Sequence, residues 1–228
     1  MLSPTPLEEL TYLNNFISEH KKKLMDKVLD QRTRFVTVVL EDIYQSHNAS
    51  AVLRSCDCFG VQDVHVIENR NRYSVDPTVA MGSSKWVDIL RYNTNDRNTT
   101  TCLRGLKKEG YSIIATTPEP MSESINDVEL TGKIALVFGT ELTGLSEEAL
   151  ALADNKVKIP MYGFTESFNI SVCAALFLNI IRDKLNKSDL DWQLTREEKI
   201  AIKLNWCKKV VKRSNKLLEE YFNKNREI

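Results

Sequence analysis

The stretch VKIPMYGFTESFNISVCAALFL, residues 157–178, decides how this chain is read. A short strand, Lys156–Ile159, leads into it. Pro160 stops that strand, because proline has no N–H to give to a ladder. Residues 161–169, MYGFTESFN, form a polar loop with one glycine. From Asn169 the sequence becomes ISVCAALFLNIIRDKL, apolar nearly all round, which is how a buried helix reads. Ser167 or Asn169 supplies the helix cap. The polar loop therefore stands at a helix N-terminus, where free N–H groups and the helix dipole favour a ligand carboxylate or another polar group.

Working outward, the same alternation recurs. Arg34–Leu40 is β-branched and mostly apolar, as expected of a strand covered on both faces. The loop EDIYQSHN, residues 41–48, precedes a helix over Ala49–Phe59, capped by Asn48 or Ser46 and closed by Gly60. Val61–Ile67 is the next strand and completes a βαβ unit. Residues 69–76 read as polar loop, 85–92 as a short strand and 102–109 as a helix closed by Gly110. Two strands follow, Tyr111–Ala115 and Lys133–Gly139. Ser146 caps a short helix to Ala153, with Glu147 and Glu148 in the first turn, where the dipole favours them. This order implies an α/β protein with a mainly parallel sheet flanked by helices. Ligands of such sheets sit at the carboxyl ends of the strands. Thr116, Gly139 and the loop Met161–Ser167 all fall there and are candidates for one pocket.

The 228 residues suffice for one large domain or one domain with an appendage. The chain is 42% hydrophobic and 27% charged, ordinary for a globular protein. No apolar run approaches membrane-spanning length, and MLSPTPLEEL lacks the basic and apolar regions of a signal peptide. A cytoplasmic protein with no membrane association is expected. The five cysteines are odd in number and scattered, which argues against a disulfide framework. Cys56-x-Cys58 has the wrong spacing for a zinc knuckle, and the three histidines lie far apart, so no metal is expected. There is no G-x-G-x-x-G after a strand and no P-loop.

The formal net charge is zero, yet the charge is unevenly spread. Lys21–Arg34 holds six basic and two acidic residues, and Lys199–Lys216 holds seven basic residues and no acid. Both ends read as helices, one from Leu7 to about Leu29 and one from Thr195 to about Asn223. Lys21, Lys22 and Lys23 at one end and Lys209, Lys212 and Arg213 at the other are candidate contacts for a polyanion.

Three blocks in this order resemble the SpoU (TrmH) family of RNA 2′-O-ribose methyltransferases. They are Asn48-Ala-Ser-Ala-Val-Leu-Arg54, Leu136-Val-Phe-Gly139-Thr-Glu141-Leu-Thr-Gly144, and Ile159-Pro-Met-Tyr-Gly163-Phe-Thr-Glu-Ser167-Phe-Asn169. With Gly82-Ser-Ser-Lys85-Trp86 and the basic terminal helix, they resemble the branch that methylates guanosine 18 in the D-loop of tRNA. Other positions of tRNA or ribosomal RNA are alternatives, as is a non-catalytic RNA-binding protein that kept the fold. The resemblance implies a SPOUT-type fold with a C-terminal trefoil knot, S-adenosyl-L-methionine as methyl donor, tRNA as substrate and a homodimer. It implies a basic helical arm over residues 1–34, a catalytic domain over 35–190 and a basic helical extension over 191–228.

By the same resemblance Arg54, Asn48, Glu141, Ser167 and Asn169 form the catalytic set, and Thr116, Gly139, Ile159 and Phe168 bind the donor. The reaction needs the oxygen and the methyl carbon held in line, an effect of about 7–11 kcal/mol, and removal of the hydroxyl proton. Arginine is a poor base, with a pKa above about 12. Arg54 reads better as a fork that clamps a phosphate or the ribose, with Glu141 placed to orient Arg54 or a donor group. Glycine at 139 is expected to let the backbone approach the ligand.

Overall fold

Val36-Thr-Val-Val-Leu40 turns alternate side chains into two different cores, and it becomes an inner strand of the sheet. Val36, Val38 and Leu40 face one core and Val39 the other, the period-two alternation of a strand. The computed structural model describes residues 4–94 and 96–224. The outermost parts of the two terminal segments, 1–3 and 225–228, lie outside them.

In chain order the elements begin with α1 (Pro6–Leu13), α2 (Glu19–Leu29), β1 (Val36–Glu41), α3 (Ser46–Cys58) and β2 (Asp63–Ile67). A one-turn α4 (Pro77–Ala80), β3 (Asp88–Tyr92), α5 (Asn98–Lys108), β4 (Ser112–Thr116) and the two-residue β5 (Glu123–Ser124) follow. The remainder is β6 (Ile134–Phe138), α6 (Glu147–Leu152), β7 (Asn155–Lys158), α7 (Ile170–Asn186), α8 (Arg196–Val210) and α9 (Ser214–Lys224). Residues 33–192 form one compact unit, and 1–32 with 193–228 form a second.

The larger unit is a seven-stranded sheet in the order β3-β2-β1-β6-β4-β7-β5, every pairing parallel. Val38 is registered against Val64 on one side and Leu136 on the other. One face is covered by α3 and α7, through Val52, Leu53, Phe177 and Ile181. The other is covered by α5 and α6, through Cys102, Leu103, Leu106 and Ala149. The short β5 and α4 carry no hydrophobic periodicity, which is why the sequence pattern passes over them. Helix α5 begins earlier than its apolar stripe, at Asn98, and Gly110 closes it with φ +85. Helix α3 begins at Ser46 with Gln45 at the cap position and no side-chain cap bond, so neither Asn48 nor Ser46 caps it.

Among the described residues, the smaller unit holds four α-helices around Leu10, Leu13, Met25, Leu29, Ile202, Trp206, Cys207 and Leu218. The expected single helix over 7–29 is broken. A 3-10 turn at Asn14–Phe16 ends α1, and the Ser18 hydroxyl, accepting from the Lys21 N–H, starts α2. The expected single helix over 195–223 is also broken. Val211 is extended and Arg213 has φ +57, in the left-handed region, while Ser214 Oγ donates to the Lys208 carbonyl at 2.9 Å. Arg32 lies buried with its guanidinium 5.5 Å over the Trp206 ring.

All five cysteines are free thiols. No helix among the described residues is long and apolar enough to cross a membrane.

Candidate active site

The sheet exposes its carboxyl ends along one edge, and the loops leaving β4, β6 and β7 meet there. They enclose a cavity of about 430 Å³. Thr116, Gly139, Ile159, Ser167 and Phe168 all line it, with apolar walls from Phe138, Leu145, Leu150, Ile170 and Phe177. Residues distant in sequence but placed at strand ends are thus gathered in one pocket, as the α/β pattern requires.

The wall after β6 is a tight turn. Thr140 and Gly144 exchange N–H···O bonds of 3.0 Å in each direction, and the Thr140 hydroxyl accepts from the Thr143 N–H at 3.1 Å. Gly139 is required here by the protein's own backbone. A Cβ on it would stand 2.3 Å from the Gly144 carbonyl carbon and oxygen. Its bare face meets Gly144, and the residue also borders the cavity.

The turn carries Glu141 to the start of α7. Asn169 is the helix cap. Its Oδ1 accepts from the Ser171 N–H at 3.0 Å and from the Ser171 hydroxyl at 2.6 Å. That fixes the side chain with its Nδ2 turned outward, where it donates to Glu141 Oε1 at 2.6 Å and Asn48 Oδ1 at 3.2 Å. Asn48 Nδ2 donates to the same Glu141 oxygen at 3.0 Å and to Gln45 Oε1 at 2.9 Å. The Ile170 N–H adds a longer bond of 3.4 Å to Glu141. Asn48 is 5% exposed, so this is a nearly dry amide on a carboxylate.

Asn48, Glu141 and Asn169 therefore form one cluster, and Glu141 is its member on the cavity wall. Ser167 lines the cavity on an exposed stretch of loop. Arg54 stands apart. It is exposed on α3, and among the described residues no hydrogen bond or ion pair reaches it. Glu141 does not orient Arg54 within this chain, because its hydrogen bonds go to the two asparagines.

Sequence patterns missed a second layer. Glu41, the last residue of β1, is buried. Its carboxylate accepts from the Thr99 hydroxyl at 2.6 Å and from the Ser146 N–H and hydroxyl at 2.9 and 2.8 Å. It ties the turn after β6 to β1. An acid directly after an apolar strand, at the edge where ligands sit, was the available signal. A second cavity, about 860 Å³, lies on the other side of the turn; Asn48 lines it, and Glu141 lines both cavities.

The basic candidates lie in the helical unit. Lys22 pairs with Glu19 at 2.6 Å, and Lys21 and Lys23 share its helix. Lys209 is exposed on α8, and Lys212 and Arg213 are exposed in the break that follows. Part of the positive charge is neutralised inside the unit. Lys199 pairs with Asp30 at 2.9 Å, Lys208 with Glu9 at 2.6 Å, and Lys203 with Asp26. No group of three or more metal-ligating side chains occurs among the described residues.

Comparison with known proteins gives this geometry a family. A tRNA (guanosine(18)-2'-O)-methyltransferase of Borreliella burgdorferi is 44% identical over 206 residues, 90% of this chain and 93% of that protein. An enzyme with the same name from Thermus thermophilus is 37% identical over 161 residues, 71% of this chain and 81% of its own. Among solved structures, a TrmH/SpoU tRNA modifying enzyme of A. aeolicus superposes with a TM-score of 0.77 at 29% identity, covering 85% of this chain and 98% of that one. The model of the SpoU rRNA methylase family matches residues 35–179, which carry the sheet, the cavity and the asparagine–glutamate cluster alike. On those grounds the chain belongs to the SpoU rRNA methylase family.

Proposed function

We propose that this chain transfers a methyl group from S-adenosylmethionine to the ribose 2′-hydroxyl of guanosine 18 in tRNA. The observation that carries the reading is the Asn48–Glu141–Asn169 cluster, which reaches the strand-end cavity through Glu141, in a chain 44% identical to a methyltransferase of that name.

The cavity fits the donor in kind. It is within the roughly 300–1,000 Å³ range of small-molecule sites. Its walls are apolar, suited to an adenine ring and a thioether chain, and Thr116, Glu119 and Ser167 bring polar atoms to it. Gly139 and Ile159 would offer backbone groups to the adenine, and Phe168 an aromatic edge. When bound, S-adenosylmethionine supplies an activated methyl group on a sulfonium.

The chain's own residues do the positioning. Glu141 holds both asparagine amides, and Asn169 is fixed further as the cap of α7. Asn48 and Asn169 are thereby held beside the cavity, with Ser167 on its wall to meet the ribose oxygen. Arg54, with no partner among the described residues, supplies a guanidinium for the RNA backbone. A guanidinium is a poor base and a good fork for phosphate oxygens, which suits Arg54 to a clamp.

In the helical unit, Lys21, Lys22 and Lys23 on α2 and Lys209, Lys212 and Arg213 at the end of α8 bind tRNA phosphates. The residues 1–34 and 191–228 then serve RNA binding and 35–190 catalysis. A second copy of the chain covers α7, supported by Val172 and Leu176, which are exposed apolar residues one turn apart on an otherwise apolar helix. The segment from β7 to α7 is read as the knotted element. In support, β7 inserts between β4 and β5, and α7 packs back on α3.

The test is labelled methyl transfer to total tRNA, followed by nucleoside analysis. The label is expected in 2′-O-methylguanosine. Label in a base, or in no nucleoside, would overturn the assignment.

A further inference from the structure

The larger cavity shares the turn after β6 with the donor cavity, yet the donor does not account for it. It opens at the carboxyl ends of β1, β2 and β6 and holds about 860 Å³, ample for one nucleoside. Its walls are tied down. Asp42, with φ +54, accepts from the N–H groups of Asn69, Arg70 and Asn71 at 2.7, 2.8 and 3.3 Å. Asn71 Nδ2 donates back to the Asp42 carbonyl at 2.8 Å, and Asn69 Nδ2 donates to the Thr99 hydroxyl at 2.9 Å. The segment after β2 is thereby clamped to the end of β1 by one carboxylate. Such a network fixes a wall before any ligand arrives, which lowers the ordering cost of binding.

Two further features point to what the cavity takes. Tyr44 lines it and is 79% exposed, an aromatic ring that belongs to no core. Base–aromatic stacking is the common use of such a ring beside RNA. The cavity is also acidic. Glu147 and Glu148 line it and are exposed, with Arg70 the single cation on its walls among the described residues. Carboxylates repel a phosphate but accept from N–H donors. Guanine presents N1–H and a 2-amino group side by side, whereas adenine presents a lone pair at N1. The cavity also meets the proposed chemistry directly, because Asn48 and Glu141 line it and Glu141 borders the donor cavity as well.

We propose that this second cavity receives the acceptor guanosine, its base stacked on Tyr44 and its N1–H and 2-amino edge accepted by the Glu147–Glu148 carboxylates, with the ribose against Asn48 and Glu141. The proposal rests on the methyl-transfer reading above and assigns its base specificity. Nothing in the folding core depends on these side chains, so they can be changed without unfolding the chain.

The experiment compares kcat/KM for tRNA transcripts carrying guanosine or inosine at position 18, using the full chain and its variants. Inosine lacks the 2-amino group. Tyr44→Ala is expected to lower kcat/KM about ten- to hundredfold, the range of one lost base stack, and Tyr44→Phe to stay near wild type. Donor affinity by calorimetry and Tm are expected to be unchanged in both. Replacing Glu147 and Glu148 together by alanine is expected to shrink the guanosine-over-inosine preference by about tenfold, one charge-assisted hydrogen bond. Wild-type kcat/KM in Tyr44→Ala, or an unchanged preference in the double variant, would overturn the cavity assignment alone. Absence of methylation by the wild-type chain would overturn the reading beneath it, and this proposal with it.

Discussion

Asn169 Nδ2 and Glu141 Oε1 stand 2.6 Å apart, joining the cap of α7 to the turn after β6 across 28 residues of chain. The bond is possible because the other end of the Asn169 amide is already committed to Ser171. A residue that reads in sequence as a plain helix cap also holds, in space, the carboxylate of Glu141 on the cavity wall.

If Glu141 organises that cluster, removing its carboxylate frees both asparagine amides. Glu141→Ala is expected to lower kcat/KM by about a hundredfold, the cost of an approximately 1 Å misplacement at a reacting centre. Glu141→Gln keeps one acceptor oxygen and is expected to fall between. Steady-state kinetics with calorimetry on the donor would check this, and equal activity in all three proteins would remove Glu141 from the site.

Arg54 offers a cleaner separation of stability from chemistry. It has no partner among the described residues, so Arg54→Ala is expected to change folding stability by less than about 0.5 kcal/mol. Its methyl transfer is expected to fall by about a hundredfold or more, since a clamp on the substrate is removed. Thermal denaturation beside an activity assay decides it; a loss of stability matching the loss of activity would argue for a structural arginine.

The helical unit is expected to bind RNA in a salt-sensitive way. Replacing Lys209 and Lys212 by glutamine should weaken tRNA binding. It should also flatten the slope of log affinity against log salt by about one to two units, since each phosphate that a lysine neutralises adds up to about 0.9 to that slope. Donor binding should be unaffected. Filter binding across salt concentrations would show it, and an unchanged slope would take these lysines off the RNA.

The α/β order, the helix start at Ser146 and the gathering of Thr116, Gly139 and the loop Met161–Ser167 are legible in the sequence, because hydrophobic periodicity and strand ends are local signals; Ile159 and Phe168 follow from the family resemblance alone, and the choice of Asn169 over Ser167 as cap of α7 needs the structure. The breaks at Asn14–Phe16 and Val211–Arg213 are not legible. Each is a few residues of turn inside a continuous apolar stripe, and Arg213 adopts its left-handed conformation without the glycine that usually announces it. The role of Glu41 and the clamp made by Asp42 were hidden for another reason. Both are hydrogen bonds across the sheet edge, to Ser146 and to Asn69–Asn71, that no sequence spacing encodes. Gly139 carries a constraint that spacing does not announce: its bare face meets Gly144.

His65 gives the fold a pH dependence. It is 5% exposed, its Nδ1 lies 3.0 Å from the Tyr92 hydroxyl, and burial pushes its pKa down from 6.5 to about 4. Between those values the unfolded chain binds a proton that the folded one does not. Stability is therefore complete above about pH 6.5 and is lost as pH falls toward 4, by up to about 3 kcal/mol. Denaturant midpoints at pH 7.5 and 4.5 should differ in that sense, and the difference should shrink in His65→Asn.

The most direct measurement uses two tRNA transcripts that differ by one oxygen, guanosine or 2′-deoxyguanosine at position 18. Each is incubated with the chain and labelled S-adenosylmethionine. Label is expected in the ribose form and none in the deoxy form; equal labelling of the two would contradict 2′-O-methylation at that nucleotide.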